Sequence, residues 1–146
     1  IRDSHGPVLV DELGELLVHG IPMRPAAPTG FGLIGEKKVF LLPGNPVSCL
    51  SAYDYFVGRA LRMMGGRSEE WPYRNKIVKL ATKISSEIGR IEYVRLRIEN
   101  ERAFIIAAGG ASILSTTTQA DGFLLTEEDS EGFAEGEQVQ VWLYDE

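Results

Sequence analysis

A chain of 146 residues can hold one medium domain or two small ones around a hydrophobic core. Its 44% hydrophobic and 25% charged residues are those of a globular protein; no apolar run approaches the ~20 residues of a spanning helix, and no signal-peptide pattern opens the chain. The net charge of −6 weighs against non-specific nucleic-acid binding, and the single cysteine, Cys49, rules out an internal disulfide framework and points to a reducing, cytoplasmic setting. His5 and His19 stand too far apart to make a metal cluster with one cysteine. Ile1 is not an initiator methionine, so the chain reads as a piece of a longer protein.

In chain order, Val8 to Leu13 reads as the end of a short helix stopped at Gly14, and Leu16 to Ile21 as a buried strand. The loop Pro22-Met23-Arg24-Pro25-Ala26-Ala27-Pro28-Thr29-Gly30 holds three prolines and leaves no room for a regular element. Phe31 to Ile34 and Lys38 to Leu42 read as strands joined at Gly35-Glu36. A sharp strand-to-helix turn follows at Leu42-Pro43-Gly44-Asn45-Pro46, with Asn45 as N-cap and Pro46 at the first helical position. The helix runs to about Met64, with Leu50, Tyr53, Val57, Leu61 and Met64 as its expected buried stripe and Arg59 and Arg62 complementing the dipole.

Gly65-Gly66-Arg67-Ser68-Glu69-Glu70-Trp71-Pro72 is a helix stop and linker, and the expected division is residues 1–66, a linker over 67–72, and residues 73–146. Beyond it the period changes to two. Val78, Leu80 and Ile84 turn one way and Lys79 and Lys83 the other; Val94, Leu96 and Ile98 alternate with Tyr93, Arg95 and Arg97; Val139, Val141 and Leu143 alternate with Gln138, Gln140 and Trp142. With Phe104 to Ala107 and Phe123 to Leu125 this gives about five strands, a small antiparallel barrel or sandwich. Arg90, Arg95 and Arg97 form an outward row on this reading, either a binding stripe or, as is usual, a solvated strand face.

Residues 1–72 carry seven Lys/Arg and eight Asp/Glu; residues 73–146 carry eight and thirteen. The near-neutral first part is the better host for an anion. The second, with Glu127, Glu128, Asp129, Glu131, Glu135 and Glu137 bunched, is a poor one. The turn from Pro43 to Ser48 is the leading candidate site, because a helix start leaves N–H groups unpaired and adds partial positive charge. The amides near Val47 and the Ser48 hydroxyl suit a tetrahedral oxyanion, although a well-capped turn that binds nothing reads the same way. Arg24, on its rigid loop, is a candidate anion clamp. Asp3 is a lone carboxylate, and Cys49 lies just inside the helix start.

Leu42-Pro43-Gly44-Asn45-Pro46-Val47-Ser48 resembles the signature of the molybdopterin molybdenumtransferases, the MoeA and gephyrin E-domain family. Glu12-Leu13-Gly14-Glu15, the basic-Pro-x-x-Pro loop, Gly89-Arg90-Ile91-Glu92-Tyr93-Val94-Arg95 (against Gly-Arg-x-Glu-Phe-x-Arg), Gln119-Ala120-Asp121-Gly122 and Gly136-Glu137-Gln138-Val139 follow in the family's order. The resemblance implies an α/β plus all-β chain: the C-terminal part of an α/β, MogA-like molybdopterin-binding domain, then a small β-barrel.

It also implies a reaction, insertion of molybdate or tungstate into adenylylated molybdopterin with release of AMP and help from magnesium. A homodimer, a pterin substrate, an adenylyltransferase partner, no nucleic acid and no membrane go with it. Ser48 matches the serine that contacts the oxyanion, and Pro43, Gly44, Asn45 and Pro46 the loop shaping that pocket. Arg24, Pro25 and Pro28 match the Lys-Pro-Gly-Lys-Pro loop. Asp3 matches the aspartate closing a Gly-Gly-x-Ser-x-Gly-x-x-Asp motif, and so would be catalytic and a magnesium ligand. The glycine- and serine-rich part of that site would precede Ile1, so the piece alone is expected to be inactive. Ala26 and Ala27 replace the family loop's glycine and second basic residue. A non-catalytic pterin-binding or gephyrin-like scaffold module is the other reading.

Overall fold

The computed structural model describes residues 5–106 and 115–144. Helix α1 (His5–Leu13) packs on a three-stranded antiparallel sheet of order β1-β3-β4, formed by β1 (Glu15–His19), β3 (Gly30–Ile34) and β4 (Lys37–Leu41). Val10 is buried against Gly32, where a side chain would strike the Glu15 carbonyl at 2.6 Å. The expected hairpin at Gly35-Glu36 is present, but β1 is not a buried strand. It is an edge strand, and its Leu17 and Val18 are exposed.

The helix after Asn45 forms in three parts: α2 (Pro46–Ala52), a π-helical turn over Tyr53–Val57, and α3 (Gly58–Met64). The π turn is closed by the bond from Gly58 N–H to the Tyr53 carbonyl. It overturns the expected buried stripe. Leu50, Tyr53, Leu61 and Met64 are all about half-exposed, and only Val57 of that set is buried. The inward residues are Val47, Ser48, Ser51, Ala52, Asp54 and Val57. Ala52 and Val57 stand five apart, a spacing that an unbroken α-helix puts on different faces and that an i→i+5 turn brings together. Phe56 joins helix to sheet, meeting Phe40 at 5.8 Å and Phe31 at 6.3 Å between ring centroids, both edge-on.

Arg59 and Arg62 send their Nε–H groups to the carbonyls of Glu69 and Ser68, which ties the following segment to the helix. That segment ends in Trp71, stacked edge-on against Phe123 and Trp142.

The remaining strands close a barrel. β5 (Asn75–Leu80), β7 (Ile91–Glu99), β8 (Arg102–Ile105), β9 (Gly122–Leu125) and β11 (Gln138–Leu143) run in the order β7-β8-β5-β11-β9, and β9 pairs back onto β7. Five strands therefore leave no open edge between first and last. The expected all-antiparallel pattern fails at one seam: β5 and β8 are parallel, joined through Lys79↔Arg102 and Leu80↔Ala103. β6 (Ile84–Ser85) and β10 (Gly132–Phe133) add a small pair, and α4 (Ser115–Thr118) is a single turn.

Val78, Leu80, Ile84, Leu96, Ala103, Leu124, Val139 and Val141 fill the barrel, as their alternation predicts. The Gln119–Gly122 motif closes it: the Asp121 carboxylate accepts from Ile98 N–H at 2.7 Å, and a Cβ on Gly122 would lie 2.2 Å from the Trp142 carbonyl oxygen.

The other face of β7 is also covered. Tyr93 (4% exposed) and Arg95 (8% exposed) lie under α2, so Arg95 does not belong to an outward row. Arg90 and Arg97 do face out, paired with Glu87 and Glu99. A second core of Met23, Ala26, Ala52, Tyr93 and Phe123 forms there, with Tyr93 stacked on Phe123 at 4.5 Å.

Candidate functional site

The proline loop is more regular than three prolines suggest. Its β2 (Met23–Arg24) adds to the barrel in parallel with β7, placing Arg24 opposite Glu92. This strand spares a proline from every ladder position, since Pro22 and Pro25 flank it. The Arg24–Pro25 peptide is cis. Gly20 N–H bonds to the Thr29 carbonyl, Ile21 N–H to the Ala27 carbonyl, and Thr29 sends both its amide and its hydroxyl to the Ala26 carbonyl.

This web holds Ala26 at φ 115°, a conformation that glycine adopts freely and alanine does not. Ala26 stands where the resemblance expects glycine. Such strain costs about 1–3 kcal/mol, against about 0.8 kcal/mol for the one buried methyl lost on trimming to glycine. Ala26→Gly is therefore expected to raise stability by about 1 kcal/mol, read as a higher urea midpoint at unchanged m-value.

At the helix start, Asn45 is extended (φ −72°, ψ 124°), and its Oδ1 accepts from Val47 N–H at 3.1 Å and Ser48 N–H at 3.3 Å. The Cys49 amide goes to the Asn45 carbonyl, and Pro46 has none. The amides at Val47 and Ser48 are thus already used by the cap, and what this turn can offer a ligand is the Ser48 hydroxyl. Pro43 is buried beneath it, while Gly44 and Pro46 are exposed.

A cleft of ≈ 490 Å³ opens between this helix, the proline loop and the barrel. Arg24, Pro25 and Val47 line it from one side, and Lys83, Glu92, Tyr93 and Arg95 from the other. Three cations face one carboxylate. Burial raises the Glu92 carboxyl above its ordinary pKa, and Arg24 and Arg90 pull it back.

Arg95 is the most constrained of the cations. Its Nη2 donates to Ser51 Oγ at 3.1 Å and to the Val47 carbonyl at 3.4 Å, and its guanidinium sits 4.9 Å from the Tyr93 ring centroid. Its Nε is buried with no hydrogen-bond partner among the described residues. Behind it, Asp54 accepts from Tyr73 and Tyr93 hydroxyls at 2.7 Å each, and its carbonyl takes the Trp71 indole N–H. The Tyr93 and Tyr144 hydroxyls are also bonded to each other.

Of the expected site residues, Arg24 and Pro25 line the cleft. Pro28, Pro43, Gly44, Asn45, Pro46 and Ser48 do not, although Val47 carries the signature to its wall. Asp3 lies outside the described residues. The sequence missed Lys83, and it offered Arg95 only as part of an outward stripe, both in the part read as too acidic for an anion; the further signal for Arg95 was its place as the last residue of the Gly-Arg-x-Glu-Phe-x-Arg pattern. Regional net charge misled because the bunched acids Glu127, Glu128, Asp129, Glu131, Glu135 and Glu137 are all exposed and none lines the cleft. Among the described residues no three His, Cys, Asp or Glu side chains converge on a point that would hold a metal, and Glu92 is the one carboxylate in the cleft lining. That donor set fits an anion and does not fit magnesium. No helix among the described residues is long and apolar enough to cross a membrane.

Residues 78–144 match the MoeA C-terminal region (domain IV). Over 135 residues the chain is 35% identical to a protein of Methanocaldococcus jannaschii named for molybdopterin biosynthesis, covering 92% of this chain and 31% of that one. It is 30% identical over 125 residues to molybdopterin molybdenumtransferase 2 of Mycobacterium tuberculosis, covering 84% of this chain and 30% of the relative. The crystal structure of a molybdopterin biosynthesis MoeA protein from Pyrococcus horikoshii superposes with a TM-score of 0.82 at 33% identity, over 98% of this chain and 34% of that one. The chain spans about a third of the length of these relatives. With a closed five-stranded barrel where the domain IV match falls, and the Pro43–Ser48 signature seated beside it, the chain belongs to the MoeA family.

Proposed function

We propose that this chain is the C-terminal part of a molybdopterin molybdenumtransferase, and that its basic cleft takes the tetrahedral oxyanion during insertion of molybdate or tungstate into adenylylated molybdopterin with release of AMP. The observation that carries the reading is the convergence of Arg24, Lys83 and Arg95 on one cleft with a single opposing carboxylate. Several cations around a partly dry site hold a dianion far better than one, and preorganised charge lowers a transfer barrier without any covalent intermediate. The loss of the loop's second basic residue at Ala27 is met on this reading by Lys83 and Arg95 from the barrel. Ser48 does not line the cleft, and it is proposed as a hydroxyl contact to the oxyanion by resemblance alone. Asp3 is proposed as catalytic and as a magnesium ligand by resemblance alone, and no step here runs through the ion.

In the longer protein, residues 1–66 would be the end of the α/β pterin-binding domain and 73–146 the barrel domain. Homodimerisation, delivery of pterin by an adenylyltransferase and a cytoplasmic location complete the reading by resemblance.

In the full-length protein, Arg24→Ala is expected to slow molybdate-dependent AMP release about tenfold or more, as for loss of one charge-assisted contact, with the thermal transition unmoved. Wild-type rates in this variant would remove the proline loop from the site. Pterin retained without any AMP release by the wild type would instead favour a scaffold module, the reading that the Ala26-Ala27 loop suits.

A further inference from the structure

We infer that Ser51 and Tyr93 are positioning residues that hold Arg95 in place at the cleft and so set its affinity for the oxyanion. This deepens the proposed function and rests on it.

The geometry leaves each group one arrangement. The Ser51 hydroxyl has one proton, and it goes to the Val47 carbonyl at 3.0 Å. Its oxygen is therefore turned to Arg95, whose Nη2 it receives at 3.1 Å. The Tyr93 ring supports the guanidinium from below at 4.9 Å. That ring is itself fixed on two sides, stacked on Phe123 at 12° and tied through its hydroxyl to Asp54 Oδ2 at 2.7 Å. The tyrosine proton is committed to the carboxylate, so Tyr144 donates to Tyr93.

These contacts hold one edge and one face of Arg95. They leave Nε, buried, as a donor with no partner among the described residues. A desolvated donor of this kind costs stability in the empty protein and regains it when an acceptor arrives. A charged side chain held in advance also loses less freedom on binding.

The ring is the part that carries the guanidinium. The hydroxyl anchors that ring to the helix.

The test is an equilibrium titration of the full-length protein with sodium tungstate. Arg95→Ala is expected to weaken binding about thirtyfold and Ser51→Ala about fivefold. Tyr93→Leu should weaken it about as much as Ser51→Ala, while Tyr93→Phe, which keeps the ring, recovers affinity to within about twofold. Added to Arg95→Ala, Ser51→Ala should cause no further loss, because it acts only through the arginine. A further loss there of the same size would mean a general structural effect and overturn the proposal. So would wild-type affinity in both Ser51→Ala and Tyr93→Leu when Arg95→Ala binds poorly. If the wild type binds no tungstate, or Arg95→Ala binds as well as wild type, the oxyanion reading of the cleft fails, and the positioning role falls with it. Should Tyr93→Leu not fold, Ser51→Ala and the double variant decide.

Discussion

Asp54→Ala is expected to lower the free energy of unfolding by about 3 kcal/mol, a large share of the ~5–15 kcal/mol that domains of this kind possess. The carboxylate is 8% exposed and is the acceptor for the Tyr73 and Tyr93 hydroxyls, at 2.7 Å each. Alanine removes the acceptor of both hydroxyls at the contact between helix and barrel, where Tyr93 is buried and Tyr73 partly so. The opposing term is small: alanine favours a helix over aspartate by about 0.7 kcal/mol at most. Asp54→Asn is expected to cost only about 1 kcal/mol. The asparagine oxygen accepts from one tyrosine, and its NH2 donates to the other, whose proton then turns elsewhere. Urea unfolding followed by Trp71 and Trp142 fluorescence distinguishes the two, since Trp71 touches Asp54 directly. Equal losses in both variants would mean that the carboxylate charge, and not the hydrogen-bond count, is what matters.

Asp54 was not legible in the sequence, and the reason is local. A helix over residues 46–64 was readable from its cap and its apolar recurrence, and the cap formed as expected at Asn45. Periodicity assumes one constant pitch. The π turn over Tyr53–Val57 breaks that assumption, leaves Leu50, Tyr53, Leu61 and Met64 outside and turns a carboxylate inward. A buried aspartate looks, by residue type, like a surface residue until its two tyrosine partners, 19 and 39 residues away, are known.

The barrel strands failed in the opposite sense. Alternation located all five and put the right residues in the barrel interior. It also assigned the second face of β7 to solvent, because polar residues at period two usually lie there. Tyr93 and Arg95 face the helix instead, and both line the candidate cleft. A strand buried on both faces with a charged residue on one of them violates the simple pattern, and such violations collect where a protein binds something. The proline loop follows the same logic: Ala26 keeps a glycine-like backbone that its own side chain disfavours.

The tyrosines that hold this region together also fix its response to alkali. Burial pushes the Tyr93 phenol far above its ordinary range, with the neighbouring Tyr144 and Asp54 adding to the shift. Burial likewise raises Tyr144 to about 12, although Arg95 and the bond to Tyr93 pull it down. In the unfolded chain both phenols ionise near pH ~10. Above that pH the unfolded state has released protons that the folded state keeps. It therefore binds fewer protons, and stability falls as pH rises.

The stabilisation is fully present below pH ~10 and is lost through the interval up to the folded-state values. From pH 8 to pH 11 each phenol is expected to remove about 1.4 kcal/mol, so Tyr93 and Tyr144 together remove about 3 kcal/mol. Tyr73 is also raised, by burial and by Asp54, but it is more exposed and solvent screening reduces its share. Tyr93→Phe starts from a lower stability and should then lose only about half as much over the same interval. Urea midpoints measured at several pH values for both proteins give the two slopes. Parallel slopes would mean that Tyr93 ionises alike in the folded and unfolded states, so that the junction between helix and barrel does not shield it from alkali.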